Sequence, residues 1–314
     1  MRRLLSLAVL AAVAALPAAA QSPRSVAVTI DDLPLNAGPP SLRCDADGLT
    51  AMHGELLGHL AAHEAPAVAF VNAGRVCDSL PAGFLETTLT RWLDGGHALG
   101  NHTATHPDIT NVSVAAYGAD VLAGEPLLRR LLDARGQTLR YFRHPFLRTG
   151  DTQAKKDSMA AFLDAQGYTV APVTLDSDEW VFAAAYARAA GAGDTTMAER
   201  IREAYVPWFE SVVAHDEGVS REVLGYELPQ ILLIHANLLN AATLGDLLAM
   251  FERRGYRFVT LDEALADPAY RRPDPHVGRY GWSWLHRWGR GDGREINWEP
   301  DAPDWVTAYF EAGA

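Results

Sequence analysis

Residues 25–34 read SVAVTIDDLP, a largely apolar stretch that ends on two neighbouring aspartates and a proline. A short apolar run that stops at a polar turn is typical of a buried strand. The same pattern recurs downstream, and it predicts further strands at residues 67–71, 98–99, 139–142, 168–171, 230–234 and 256–259. Helical periodicity fills the intervals between them. Alternation of this kind indicates a mainly parallel sheet, and about seven such units favour closure into a barrel.

The intervening helices are predicted from apolar spacing and from the residues that stop helices. Their predicted bounds are 50–63, 81–93, a single long helix over 114–132, 152–166, 181–213 with a break near Gly191 and Gly193, and 241–254.

Ionisable side chains follow five of the predicted strands. They are Asp31 and Asp32, His102, Arg143, the segment 176–180, and His235. In barrels and open α/β sheets, functional side chains collect at the carboxyl ends of the strands. We therefore expect these groups to meet at one rim of the barrel.

His102 and His106 are spaced so that, on a helical turn, both rings would lie on one face within reach of a shared metal ion. Two histidines alone are more often structural or exposed. Asp32 changes this balance, because it can complete a set of two imidazoles and one carboxylate. Such a set suits zinc and leaves a coordination position open, which is typical of a catalytic site.

Asp31 is the candidate proton acceptor. Neighbouring residues of an extended segment point to opposite sides, so Asp32 can face the metal while Asp31 faces the water beside it. A metal makes that water more acidic, and a carboxylate placed next to it can take its proton. The alternative role for the pair is helix capping or a solvated turn, but the proline at position 34 makes capping a less obvious role.

These motifs, taken in order, resemble those of the polysaccharide deacetylase family, also called carbohydrate esterase family four. They are TIDD (29–32), HTATH (102–106), RHPF (143–146), DSDEW (176–180) and ILLIH (231–235), with residues 67–72 and 100–101 also similar. The resemblance covers about residues 25–265. It implies a distorted (β/α)7 barrel.

The resemblance also implies a reaction, the metal-dependent hydrolysis of an acetamido group on a sugar to acetate and a free amine. It assigns the metal to Asp32, His102 and His106, with Zn²⁺ as the expected ion and Co²⁺ or Ni²⁺ as alternatives. It makes Asp31 the general base and His235 the general acid that protonates the leaving amine.

Four further residues have supporting roles in this resemblance. Arg143 pairs with the base, Glu179 tunes the acid, Phe146 offers a backbone N–H to the oxyanion, and Trp180 packs beside Glu179. The sequence departs from the common pattern at Leu33, where many members have glycine, at Glu179 in place of aspartate and at Phe146 in place of tyrosine. We expect a different loop path after the strand but the same metal geometry.

Residues 1–20 have the layout of a secretory signal peptide, with a positive start, an apolar run and small residues before the expected cleavage after Ala20. This predicts export to a periplasm or the cell exterior. The apolar run is short for a membrane span, so we expect no stable anchor after cleavage, although an uncleaved anchor is the alternative.

The expected organisation is a barrel over 21–269, with a helical insertion at 181–230, and a Trp-rich extension over 270–314 that packs on the barrel.

Three features of the sequence, the insertion, the tryptophans of the extension and the two cysteines, each allow two interpretations. The insertion is either a flap that shapes substrate access or packing without ligand contact. The tryptophans of the extension either stack on sugars or are buried. Cys44 and Cys77 either pair, as the export signal favours, or remain separate thiols.

The net charge of −12, from 27 Lys and Arg against 39 Asp and Glu, argues against nucleic-acid binding. Acidity alone names no substrate, and the carbohydrate substrate is what the resemblance implies. Two rival functions remain. The same machinery would serve another acyl group, such as an O-acetyl ester, a formamide or a non-sugar amide. A non-catalytic carbohydrate-binding or cell-wall protein would have lost a catalytic group, and none is missing. A zinc titration separates that last rival from an enzyme.

Overall fold

The computed structural model describes residues 24–312. The predicted signal peptide, residues 1–20, lies outside the described residues. Within that range, the structure contains no helix with the length and apolar character that crossing a membrane requires.

In residues 24–312, seven strands form a parallel sheet. They are β1 (Ser25–Leu33), β2 (Ala67–Val71), β3 (Ala98–Asn101), β4 (Tyr141–Phe142), β5 (Thr169–Val170), β6 (Gln230–His235) and β7 (Arg257–Phe258). The strand order is β5-β4-β3-β2-β1-β6, and β7 pairs with the start of β1. Every residue of β1 is buried, as its largely apolar sequence predicts for a central strand.

The sheet closes on itself through the residues that follow β5. Leu175 forms a parallel bridge with Leu232 of β6, and the backbone N–H of Leu175 donates to Ile231 O at 3.1 Å. β5 pairs with β4, and the segment that follows β5 pairs with β6, so this part of the chain connects the two edges of the sheet. The predicted distorted (β/α)7 barrel is confirmed.

Helices fill the connections. They are α1 (Ala46–Ala62), α2 (Phe84–Asp94), α3 (Val114–Ala123), α4 (Glu125–Asp133), α5 (Gln153–Ala165), α6 (Glu179–Ala192), α7 (Thr195–Leu224), α8 (Leu238–Arg253), α9 (Leu261–Leu265), α10 (Trp284–Gly291) and α11 (Asp304–Glu311).

Several of the predicted helix bounds are wrong. Helix α1 begins at Ala46 rather than at residue 50, and α7 continues to Leu224 rather than ending at residue 213. The single helix expected over 114–132 is two helices that meet at Gly124, because Pro126 lacks an N–H and fits only the first turn of a new helix. Helix α8 begins at Leu238 rather than at Ala241. Its N-cap is Asn237, whose side chain accepts a hydrogen bond from the backbone N–H of Asn240 at 2.9 Å.

The insertion and the C-terminal extension both pack against the barrel. In the insertion, Phe182 of α6 and Trp208 of α7 stack with ring centroids 4.6 Å apart, and both belong to the core cluster that contains apolar residues of β1 and β6. In the extension, the backbone N–H of Trp284 donates to Val173 O at 2.7 Å, and Trp288 is buried in the same apolar cluster. Part of the Trp-rich extension is thus ordinary core.

Cys44 and Cys77 form a disulfide with their Cα atoms 5.4 Å apart. The bond closes a loop with a sequence separation of 33 residues. Changing both cysteines to serine is expected to lower the free energy of unfolding by at most about 4 kcal/mol, because the unfolded chain regains the entropy of the open loop. Denaturant titration measures the loss. Wild-type protein unfolded under a reductant should match the double variant, and an unchanged midpoint in both would contradict the prediction.

Candidate active site

A cleft of 780 Å³ lies at the carboxyl ends of the strands. The side chains that line it include most of the sequence-predicted set, namely Asp31, Asp32, His102, His106, Phe146, Trp180 and His235. Arg143 and Glu179 are buried directly behind this surface, where they contact Asp31 and His235. The structure therefore brings all the predicted site residues to one place.

The two histidines follow β3 on a turn rather than on a helix, so the expected helical spacing is wrong. Thr103 and His106 have positive φ values of 67° and 62°, which a helix does not allow. The Asn101 side chain fixes the turn by accepting the Thr103 N–H at 2.8 Å. This compact turn brings the His102 and His106 ring centroids to 4.9 Å from each other.

The two aspartates also depart from the expectation that their side chains would point to opposite sides. Asp32 has a φ of 64°, and the register of β1 on β2 shifts between Ile30 and Leu33. Extended backbone alternates its side chains, but this irregular residue interrupts the alternation. Both carboxylates consequently face the cleft, where Asp31 lies 3.8 Å and Asp32 lies 3.4 Å from His102 Nε2.

Asp32, His102 and His106 fit a divalent cation. Their candidate ligand atoms all lie within 4.8 Å of one another. Asp32 Oδ1 is buried without a hydrogen-bond partner among the described atoms and lies 3.3 Å from His106 Nε2. Nδ1 of His102 is 2.8 Å from Arg143 O, an arrangement in which a proton on Nδ1 leaves Nε2 free to ligate. A cation between these atoms would satisfy the orphaned carboxylate oxygen.

The ionisation states of these three residues also suit ligation. Burial lowers the pKa of both His102 and His106 to about 4, so the imidazoles are neutral at pH 7. Burial alone would raise the pKa of Asp32, but the histidines around it outweigh burial and hold it at about 2. Neutral imidazoles and an ionised carboxylate are the forms that bind metal ions.

Two loops contact Asp32 from the outer side, and sequence analysis did not single out either contact. The Asn36 amide donates to Asp32 Oδ2 at 2.6 Å, and Arg75 Nη1 lies 3.6 Å from Oδ1. Asn36 lies in the loop that contains Cys44, and Arg75 precedes Cys77. The disulfide therefore joins the two loops that hold Asp32 from outside.

Arg143 holds Asp31 from inside the barrel. Its guanidinium is fully buried, and Nη1 donates to both carboxylate oxygens at 3.2 Å. The other guanidinium nitrogens donate to Ala171 O at 2.9 Å and to Thr29 Oγ1 at 3.1 Å. Burial raises the pKa of Asp31, while the charge of Arg143 opposes this rise. Asp31 is thus oriented, and its proton affinity is higher than that of an exposed aspartate.

His235 pairs with Asp31 across β1 and β6, and its ring is held by a chain of buried polar groups. Nδ1 lies 2.5 Å from Glu179 Oε2. The other oxygen of Glu179 accepts from the amides of Asn237 and Asn240, each at 2.7 Å. Tyr205 of the insertion donates its hydroxyl to Asn240 Oδ1 at 3.1 Å, which turns the amide nitrogen towards Glu179. The insertion therefore supports the position of His235 through this series of hydrogen bonds.

Phe146 and Trp180 border the cleft with large exposed surfaces. Phe146 has a positive φ of 57° and lies edge-on to His106, with ring centroids 4.5 Å apart. Trp180 lies in the first turn of α6, directly before the insertion, and contacts Phe310 of α11 edge to face, with ring centroids 5.5 Å apart. Both rings lie beside the cleft rather than within the core.

The C-terminal extension also reaches the cleft, through Tyr280, Gly281 and Glu299. Burial and the nearby Glu299 raise the pKa of Asp176 to about 7. Sequence analysis assigned none of these extension residues to the site. The tryptophans nearby gave a general signal of aromatic surface, but no spacing rule connects residue 280 to a strand end.

Comparison with known proteins adds independent information. The polysaccharide deacetylase family matches residues 18–166. A curated relative, the chitin deacetylase of the fungus Colletotrichum lindemuthianum, is 29% identical over 152 residues, which cover 46% of this chain and 57% of the fungal protein. The match to the polysaccharide deacetylase family covers just under half of this chain, and it includes the segments that carry Asp31, Asp32, His102, His106 and Arg143.

The fold is also similar to that of a solved structure. The solved structure of the C. lindemuthianum chitin deacetylase superposes with a TM-score of 0.53 at 23% identity, over 79% of this chain and 90% of that one. A peptidoglycan deacetylase from Bacillus subtilis matches with a TM-score of 0.48 at 18% identity, over 78% and 92% of the two chains. The aligned segment of the curated relative spans little more than half of that protein's length.

Proposed function

We propose that this chain is an exported hydrolase that uses a divalent metal ion, most simply Zn²⁺, to remove N-acetyl groups from an amino-sugar oligomer or polymer. The observation that carries the proposal is the convergence of Asp32, His102 and His106 in one cleft, with Asp31 and His235 beside them. The similarity to the polysaccharide deacetylase family supports a polysaccharide substrate.

A cation held by the three ligands would supply an electrophile for the amide carbonyl and would acidify water. Side chains of the protein accept and donate the protons. Asp31 accepts a proton from the water whose oxygen attacks the carbonyl carbon, and Arg143 keeps that carboxylate oriented. His235 donates a proton to the sugar nitrogen as the C–N bond breaks. The products are acetate and the free amine.

The polar network behind His235 supports its role as an acid. Burial lowers its pKa, but the charge and hydrogen bond of Glu179 outweigh burial and raise the pKa to about 9. A raised pKa keeps the imidazole protonated at neutral pH and up to about pH 9. The leaving amine of an amide is a poor leaving group, so it needs such a donor.

Changing Glu179 to glutamine should move the alkaline limb of the kcat profile from about pH 9 towards the ordinary histidine value of 6.5. Activity at pH 8 is expected to fall roughly 10-fold or more, while activity at pH 6 changes much less, because the acid loses its proton earlier. Acetate release measured across this pH range tests the prediction. Glu227, a salt-bridged glutamate outside the cleft, provides the matched control E227Q. An unshifted limb in E179Q would remove His235 from the acid role.

The function itself is tested by acetate release from a panel of substrates with zinc-loaded protein. Chitooligosaccharides, peptidoglycan fragments, acetylated xylan and simple formamides cover the acyl groups that this machinery can hydrolyse. We expect release from N-acetylated sugars. Release only from acetylated xylan or formamides would replace the proposed substrate class, and a protein that takes up no zinc would contradict the metal site.

A further inference from the structure

Three large aromatic side chains are exposed around the cleft. Phe146 is 50% exposed, Trp180 is 47% exposed and Tyr280 is 70% exposed, and all three line the cleft. They come from the loop after β4, from the first turn of α6 and from the C-terminal extension. Several exposed aromatic side chains that border one cleft are a feature of ligand-binding sites.

Tyr280 is exposed on a backbone that is firmly held. His276 Nε2 lies 2.8 Å from Tyr280 O, and Lys156 Nζ donates to His276 O at 2.7 Å. Gly281 packs so closely that an added Cβ would lie 1.8 Å from Phe146 O, which no side chain tolerates. The ring of Tyr280 is therefore exposed to solvent on a well-held backbone, so a ligand that binds to it would pay little conformational entropy to order this segment.

Tyr280 lines the same cleft as Phe146, which contacts a candidate metal ligand. The Phe146 ring lies against His106, and Gly281, the neighbour of Tyr280, lies against the Phe146 backbone. The cleft volume of 780 Å³ is in the upper part of the usual range for ligand pockets, roughly 300–1,000 Å³. The cleft thus has room beyond the sugar that reacts.

We propose that Tyr280 forms a second sugar subsite, where its ring stacks on a pyranose next to the one that carries the reacting N-acetyl group. This inference rests on the proposed function and specifies the substrate as an oligomer. The apolar face of a pyranose fits an aromatic ring, and the phenolic hydroxyl can hydrogen-bond to the sugar hydroxyls. The C-terminal extension then selects for chain length, while the barrel residues carry out hydrolysis.

The test compares kcat/KM for the disaccharide and the pentasaccharide of N-acetylglucosamine, using the zinc-loaded full chain. In Y280A the pentasaccharide-to-disaccharide ratio of kcat/KM should fall about 3- to 10-fold, through KM, because one stacked ring is lost. Y280F keeps the ring and should keep most of the ratio. The control is Y226A, which removes a tyrosine that is 41% exposed and lies outside the cleft.

An unchanged ratio in Y280A would overturn the subsite, while acetate release by the wild type would still stand as evidence for the deacetylase. Calorimetric titration of the pentasaccharide tests the case in which the protein binds the sugar but releases no acetate. Binding that weakens in Y280A without any acetate release in the wild type supports the subsite and overturns the proposed reaction. Absence of pentasaccharide binding overturns the subsite as well.

Discussion

The variant Asp32→Ala is expected to lose stoichiometric zinc binding and, with it, acetate release. Wild-type protein should hold about one zinc ion per chain, as a site with two imidazoles and one carboxylate does. Asp32 Oδ1 lies within 3.4 Å of both histidine Nε2 atoms, so removing this carboxylate takes away the one anionic ligand of the set. Elemental analysis after dialysis measures the metal content directly.

This expectation separates an enzyme from a metal-free binding protein. Asp32 is also contacted by Asn36 and Arg75, so its loss changes the loops outside the site as well. Thermal denaturation of D32A shows whether the chain is still folded. Wild-type zinc content in a folded D32A protein would contradict the ligand assignment.

The variant Asp31→Asn should keep its zinc and lose turnover by ~10²–10⁴-fold, the usual contribution of a general base. An amide has the shape of the carboxylate and can still accept from Arg143, but it cannot take a proton from water. The acyl substrate makes no difference to this loss, so O-acetyl esters and N-acetyl sugars should be affected together. Acetate release with metal content measured on the same sample tests the prediction.

Asp31→Asn also removes the charge that partners a fully buried guanidinium. The melting temperature of D31N is therefore expected to be lower than that of the wild type, because an unpaired buried charge is costly. Assays well below that temperature keep the two effects apart. Near-wild-type activity in D31N would remove Asp31 from its proposed role.

The barrel itself was predictable because its strands have a clear apolar pattern. β2 has the predicted bounds, and β1 extends the predicted strand by including both aspartates. The break at Gly124 was also present in the sequence as Pro126, but the apolar periodicity runs through it without interruption. Apolar spacing records which face is buried and says little about where one helix stops and the next begins.

Inside the site, the residue types were predictable and their backbone was not. The histidine spacing suggested a helical turn, yet His106 adopts a positive φ that non-glycine residues rarely take. Asp32 does the same. Such conformations are held by tertiary contacts, as the turn after β3 is held by Asn101, and a single sequence does not reveal those contacts.

The groups that support the acid were missed for a related reason. Asn237 and Asn240 belong to the N-terminal cap of α8, which begins three residues earlier than the apolar pattern suggests. Their side-chain amides serve Glu179 in addition to the helix. Asparagine at a helix start is commonly a cap, so this second use has no separate sequence signal.

Arg143 contributes both to the catalytic site and to the folding stability of the barrel. One guanidinium contacts β1 through Thr29 and Asp31 and the closing segment through Ala171, so it joins distant parts of the ring. Losing either member of the ion pair leaves a buried polar group without its partner, whereas replacing both by apolar residues can be tolerated. A single substitution at Asp31 or Arg143 is therefore expected to cost stability as well as turnover, so selection on folding alone helps to preserve this half of the catalytic apparatus.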